Sequence, residues 1–253
     1  MIQVEFIGTG GVARQHRTAI DRIEDADLTA VYHLNEAFAR KTAKASDATV
    51  CESASEVIDR RDAVYILTPP RTHRDLAVEA LKARKHVMCE KPLAITLDDG
   101  QAIVKAASES STRFVIAFSQ RFRDSYRRMR EIYRSGKLGE ATTFYYRRMF
   151  SGGSYNPDNW RNPPDSRCGM SIESLSHKID LVRWSMGEIE SVYAKAIASF
   201  EELPDVDNNI HAILNLTSGC VAMLHLSWSS YISLNYTGSM ARRARFASTE
   251  AVT

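Results

Sequence analysis

The run Ile2-Gln3-Val4-Glu5-Phe6-Ile7, followed at once by Gly8-Thr9-Gly10-Gly11-Val12-Ala13, constrains the fold more than any other stretch. Residues 2–7 are rich in β-formers and read as a strand, and residues 12–23 carry a helical pattern. Between them stands G-x-G-x-x-A. Gly8 allows a tight turn, Gly10 lets the backbone approach a pyrophosphate, and Ala13 lets helix and strand pack closely. The amides of Gly8, Thr9, Gly10, Gly11 and Val12, at the positive end of the helix, are the candidate phosphate contacts. Glycines also make plain turns, so the motif draws its force from the strand before it and the helix after it.

Strand and helix then alternate. Strands are expected at 28–32, 48–51, 63–67, 86–89 and 114–118. Helices are expected at 36–45, 55–60, 76–83 and 96–110, the last with a capping box from Thr96 to Asp99. Ala63-Val64-Tyr65-Ile66-Leu67 is a continuous apolar run, as a strand buried on both faces requires. The alternation predicts an α/β, doubly wound parallel sheet over residues 1–120. A helix at 124–135 leads into a second body, 121–253. There, strands at 140–150, 188–200, 209–216, 220–229 and 231–236 surround one helix at 173–184. The turn Thr217-Ser218-Gly219 joins two of them as a hairpin, so an α+β domain with an open, mostly antiparallel sheet is expected. Residues 151–167 read as a loop and 239–253 as a poorly ordered tail.

The expected strands deliver chemistry to one edge. The strand at 63–67 ends in Thr68-Pro69-Pro70-Arg71-Thr72-His73, and the strand at 86–89 ends in Glu90-Lys91-Pro92. Ligands of open α/β sheets bind at that carboxyl edge, which makes Thr68, Pro69, His73, Glu90 and Lys91 candidate cofactor contacts. After the second strand an acid usually holds the ribose hydroxyls; here His33-Leu34-Asn35 stands instead. His33 can bind the ribose, sit beside a 2′-phosphate, or be a plain loop histidine, so NAD and NADP both stay open.

Glu173, His177 and Asp180 stand at i, i+4 and i+7, on one face of the expected helix. His177 suits a base because its ordinary pKa, about 6.5, lies near working pH. Glu173 or Asp180 could orient its ring, and Lys91 could donate to a substrate oxygen. The bland alternatives are a core histidine and a surface lysine. Three such groups on a helix also suit zinc. A metal-free site is expected, because a nicotinamide cofactor already supplies the hydride chemistry. In the long loop, Tyr155, Trp160 and Arg161 are candidate substrate contacts, though loop aromatics often only pack.

Bulk properties exclude other classes. The 253 residues are 44% hydrophobic and 25% charged, with a net charge of +2, which gives no general pull on nucleic acid or membrane. The four cysteines, Cys51, Cys89, Cys168 and Cys220, show no metal spacing. No apolar run is long enough to span a bilayer, and the amino terminus runs straight into the first strand, so a cytoplasmic protein is expected.

Taken in order, the motifs resemble those of the Gfo/Idh/MocA oxidoreductases. They are Gly8-x-Gly10-x-x-Ala13, Thr68-Pro69-Pro70-x-x-His73, Glu90-Lys91-Pro92, Gln120-Arg121-Phe122, Ser135-Gly136-Lys137-Leu138-Gly139 and His177-x-x-Asp180-x-x-x-Trp184-x-x-Gly187. The likeness runs from residue 1 to about residue 230. It implies a Rossmann domain, a second domain with an open sheet, NAD or NADP as cofactor, and a sugar, cyclitol or other polyhydroxy substrate. It implies a homo-oligomer, dimer or tetramer, associated through the open sheet. By motif position, Lys91 is the catalytic lysine and His177 the acid/base histidine, and both would touch substrate. Glu173 stands where the family often has aspartate. His33 replaces the usual acid, and the chain is shorter than typical members. These departures give the alternative of a catalytically inactive nucleotide-binding sensor or oligomer subunit.

Overall fold

The structure, a computed structural model, describes residues 1–60, 62–151, 166, 168–242 and the backbone of 244–250. The chain divides into two compact units, Met1–Ala117 and Phe118–Thr253.

In the N-terminal unit the order is β1 (Ile2–Ile7), α1 (Ala13–Ile20), β2 (Ala26–Tyr32), α2 (Glu36–Lys44), β3 (Thr49–Val50), α3 (Ala54–Arg60), β4 (Ala63–Ile66), α4 (His73–Lys82), β5 (His86–Cys89), α5 (Leu97–Glu109) and β6 (Phe114–Ile116). The six strands form one parallel sheet, ordered β3-β2-β1-β4-β5-β6. The order reverses between β1 and β4, the place where such sheets open a crevice for ligands. Successive side chains of β1 enter opposite faces. Phe6 packs with Val4, Leu28 and Val31, while Ile7 packs with Val64, Ile66 and Val87. Both faces are thus buried, which explains the continuous apolar runs. Thr96 caps α5 as expected: its hydroxyl accepts from the Asp99 amide at 3.1 Å and donates to the Asp99 carboxylate at 2.7 Å. Helix α4 begins at His73, earlier than periodicity predicts, because a 3-10 turn over Pro70–Thr72 feeds directly into it.

The C-terminal unit runs α6 (Asp124–Arg134), β7 (Ala141–Ser151), α7 (Gly169–Glu173), α8 (Ser176–Met186), β8 (Ile189–Ile197), β9 (Asn209–Leu216), β10 (Val221–Ser227), β11 (Ser229–Ala241) and β12 (Ala244–Glu250). Its sheet is ordered β12-β11-β7-β10-β9-β8, antiparallel except for β7 beside β10. One face carries Phe144, Tyr146, Ile210, Ala212, Leu214, Ala222, Leu224 and Leu226 into a core with Met129 of α6 and Leu181, Val182 and Met186 of α8.

Two expectations fail here. The single helix at 173–184 is two helices, broken at Ser174 and Leu175, whose amides both turn back to the Met170 carbonyl. Within the stretch expected to be a poorly ordered tail, residues 239–241 instead complete β11 and residues 244–250 form β12. Side-chain periodicity there is weak, but β7 offers a ladder to β11, and β11 in turn pairs with β12. Among the described residues, no helix is long and apolar enough to cross a membrane.

Phe6 is 0% exposed. Phe6→Ala is expected to cost about 3–5 kcal/mol through lost burial and the cavity left behind. Urea unfolding followed by circular dichroism measures the cost.

Candidate active site

At the sheet reversal, Gly8 adopts φ +96°, and a Cβ there would lie 2.8 Å from the Leu67 carbonyl carbon. Glycine is therefore required by the close passage of the loops after β1 and β4. Gly10 and Gly11 differ: a Cβ on either would meet open space. Helix α1 opens there with no side-chain cap on Val12 and no acid in its first turn. Open space beside the amino end of an uncapped helix fits a pyrophosphate, which the first-turn amides would hold.

His33 follows β2. Its Nδ1 accepts from the Asn35 amide at 2.9 Å, so Nε2 carries the proton of the neutral ring. Burial lowers its pKa, which favours the uncharged form. The ring packs on Phe38, with centroids 5.2 Å apart.

His73 is 0% exposed, so its ring does not reach a ligand. Nε2 lies 2.9 Å from the Thr68 carbonyl, and Nδ1 lies 2.9 Å from the Pro92 carbonyl and 3.3 Å from that of Leu93. Burial pushes its pKa down although the three carbonyls favour the charged ring. The imidazole ties the loop after β4 to the loop after β5. This corrects its expected place among the cofactor contacts: it positions the loop holding Thr68 and Pro69. In that loop the Thr72 hydroxyl bonds to the Thr68 hydroxyl at 2.7 Å and the Pro69 carbonyl at 2.9 Å.

Glu90 ends β5. One oxygen meets Nε2 of His16 at 2.8 Å, and the other accepts from the Lys91 amide at 3.0 Å. Burial acts to raise its pKa, but His16, the Lys91 amide and the Lys91 charge outweigh it, so the carboxyl stays below its ordinary range. Glu90 thus fixes the backbone from which the Lys91 side chain leaves. His16, on α1, carries no sequence signal of its own; only the approach of α1 to β5 reveals it.

In the C-terminal unit, Glu173 ends α7 while His177 and Asp180 lie on α8, so the three do not share one helical face. Helix α7 is anchored by Asp207. The Asp207 carboxylate accepts from the Ser171 amide at 2.8 Å and its hydroxyl at 2.9 Å. Asp180 turns both oxygens to Arg121, with Oδ2 2.8 Å from Nε and Oδ1 bonded to Nη2. That pairing raises the Arg121 pKa despite desolvation. Asp180 is therefore a partner of Arg121, and the expectation that it lies along one helical face with Glu173 is corrected. Arg121 in turn lies over the Phe118 ring at 5.9 Å, and that ring meets His177 edge-on at 6.1 Å. His177 and Glu173 are both half-buried.

Beside His177, Lys178 is buried. Its amine donates to Gln120 Oε1 at 2.5 Å and Tyr126 Oη at 3.0 Å, and it lies 3.9 Å over the Tyr146 ring. A lysine on a helix reads from sequence as a surface group, and nothing local marks Lys178 as buried. The motif Gln120-Arg121-Phe122 carries no local sign of the partners that Gln120 and Arg121 meet. Tyr155, Trp160 and Arg161 lie outside the described residues.

His16→Ala would leave the Glu90 carboxylate, 14% exposed, without its side-chain partner. It is expected to lower stability by about 1–3 kcal/mol at neutral pH in thermal or urea unfolding. The stability that Glu90 lends is fully present above its ordinary value of 4.5 and is lost as pH falls through its lowered folded value. The variant is expected to flatten the stability profile in that acid range.

Two family models match. "Oxidoreductase family, NAD-binding Rossmann fold" covers residues 2–118, and "GFO/IDH/MocA C-terminal domain" covers residues 126–245. A glucose-6-phosphate 3-dehydrogenase of Bacillus subtilis is 30% identical over 77% of this chain and 57% of its own length. An inositol 2-dehydrogenase of Rubrobacter xylanophilus is 33% identical over 80% of this chain and 57% of its own. The alignments thus span little more than half the length of these relatives. The crystal structure of the WlbA dehydrogenase from Bordetella pertussis, in complex with NADH and UDP-GlcNAcA, shares the fold. Its TM-score is 0.88, at 23% identity over 98% of this chain and 74% of that one.

Proposed function

Because this chain belongs to the Gfo/Idh/MocA oxidoreductase family, we propose that it moves hydride between a nicotinamide dinucleotide and a CH–OH carbon of a sugar, cyclitol or related polyhydroxy substrate. The observation that carries this reading is the open space at Gly10 and Gly11, at the sheet edge to which β5 delivers Lys91. Inositol and glucose-6-phosphate dehydrogenases among the relatives support the substrate class.

Bound nicotinamide supplies the hydride acceptor or donor. The amides at the start of α1 hold the diphosphate, Glu90 holds the Lys91 backbone, and Lys91 stabilises negative charge on the reacting oxygen. His177 takes or returns the hydroxyl proton. Glu173, which ends the short helix before it, is the acid that accompanies His177. His33, uncharged and offering Nε2–H, suits a ribose hydroxyl better than a 2′-phosphate, so NAD is the expected cofactor. Burial pushes the Cys51 and Cys220 thiols up to about 11, and Cys51, Cys89 and Cys220 are buried free thiols. That suits a reducing compartment, and we place the enzyme in the cytoplasm. The open sheet of the C-terminal unit is its self-association face.

Turnover of a sugar and cyclitol panel with NAD tests the reading. Lys91→Ala is expected to lower kcat by about 10²–10³-fold and His177→Ala by about 10²–10⁴-fold, both with NADH binding retained. Binding of NADH with no turnover on any polyol would instead identify a nucleotide-binding subunit.

NADH is expected to bind more tightly than NADPH near neutral pH. The gap should narrow as acid charges His33, below its ordinary value of 6.5. Fluorescence titration of both cofactors across that range checks it.

A further inference from the structure

Among the described residues, helices cover one face of the C-terminal sheet only. Helices α6 and α8 cover one side, while Tyr193, Ile213, Met223, Tyr145 and Met240 stand on the other by register. Tyr193 is 76% and Met223 43% exposed, and a basin of about 810 Å³ opens among them. Six strands about 4.8 Å apart, each with at least 7 residues rising about 3.4 Å, present at least roughly 700 Å². That is close to the roughly 800 Å² that each partner of a stable pair buries. Apolar, aromatic and of that size, the face fits a second copy of this chain.

A row of basic side chains crosses the same face. Lys195 of β8 pairs with His211 of β9, His211 with His225 of β10, and His225 with Arg147 of β7; Tyr236 of β11 follows. The His211 and His225 rings stack with centroids 4.0 Å apart. None of the described residues that share this face by register is Asp or Glu. The groups facing the pair are therefore Lys195, Arg147, Tyr145, Tyr193 and Tyr236. Like charges directly opposite each other destabilise neighbouring strands. Burial, then His211 and Arg147, lower the His225 pKa already. A second copy would remove more water and bring a second cationic row close.

We propose that the Lys195–His211–His225–Arg147 row makes association through this face pH-dependent, with the copies separating when the histidine pair takes up protons. The proposal rests on the open sheet being the self-association face and adds its regulation. Histidine is the side chain that ordinarily changes charge between about pH 5 and 8, so the stacked pair supplies the change with pH. Association disfavours the charged rings, so it is strongest above their titration and is lost as pH falls through it.

Sedimentation of the full chain at about pH 8 and about pH 5.5 brackets the ordinary histidine pKa. Near-ultraviolet circular dichroism shows that the fold persists at both. The dimer dissociation constant is expected to rise at least about tenfold in acid, the effect of excluding about one proton per copy. His211→Gln/His225→Gln is expected to stay dimeric at both pH values. Lys195→Glu, on the exposed edge strand, is expected to tighten the acid form. A monomer at both pH values overturns the self-association face itself. A dimer with the same dissociation constant at both, or a double variant with undiminished pH dependence, overturns the histidine row and leaves that face standing. None of these outcomes bears on hydride transfer.

Discussion

The close passage of Gly8 by the Leu67 carbonyl is the contact on which the N-terminal unit depends. Strand order reverses between β1 and β4, and the loops leaving these strands run side by side before diverging. Any Cβ at Gly8 would hold them apart, and its φ is one that other residues adopt at a cost. With the loops flush, the amino end of α1 faces the same edge that carries the loops after β4 and β5.

That edge is built from polar groups spent on protein rather than on solvent. His73 binds backbone carbonyls of two loops, and Glu90 binds an amide and a histidine. Each fixes a loop without touching what the loop would hold, which is how a site gains preorganisation from its supporting shell. The C-terminal unit repeats the device. Asp180 anchors Arg121, Lys178 anchors Gln120 and Tyr126, and Asp207 anchors α7. A buried ion pair loses hydration in proportion to what it gains, so its net effect on stability is small. What Asp180 and Lys178 supply here is placement of α8, the helix that bears His177.

The two sheets handle their faces differently. The parallel sheet needs helical crossovers, and these cover both sides. The mixed sheet is joined largely by hairpins, and among the described residues no helix covers its second side. Alternation along β9 displays this: Ile210, Ala212 and Leu214 are buried, while His211 and Ile213 are not. A bare face that combines tyrosines, methionines and a stacked histidine pair is unlike an ordinary wetted surface.

The sequence by itself determined the fold class. Period-2 and period-3.6 patterns, punctuated by glycine and proline, are local, and each strand or helix announces its own type. The glycine turn and Glu90-Lys91-Pro92 were legible for the same reason, since their meaning lies in a few adjacent residues following a strand. Tertiary structure decided which polar groups meet. His16 and Glu90 are 74 residues apart and Arg121 and Asp180 are 59 apart, distances over which no periodicity carries information. It also decided that Glu173 and His177 lie on separate helices, because the break between them depends on backbone bonds to Met170 and on the Asp207 anchor from a distant loop. Local pattern sets what each segment can be, and long-range packing alone sets what its side chains touch.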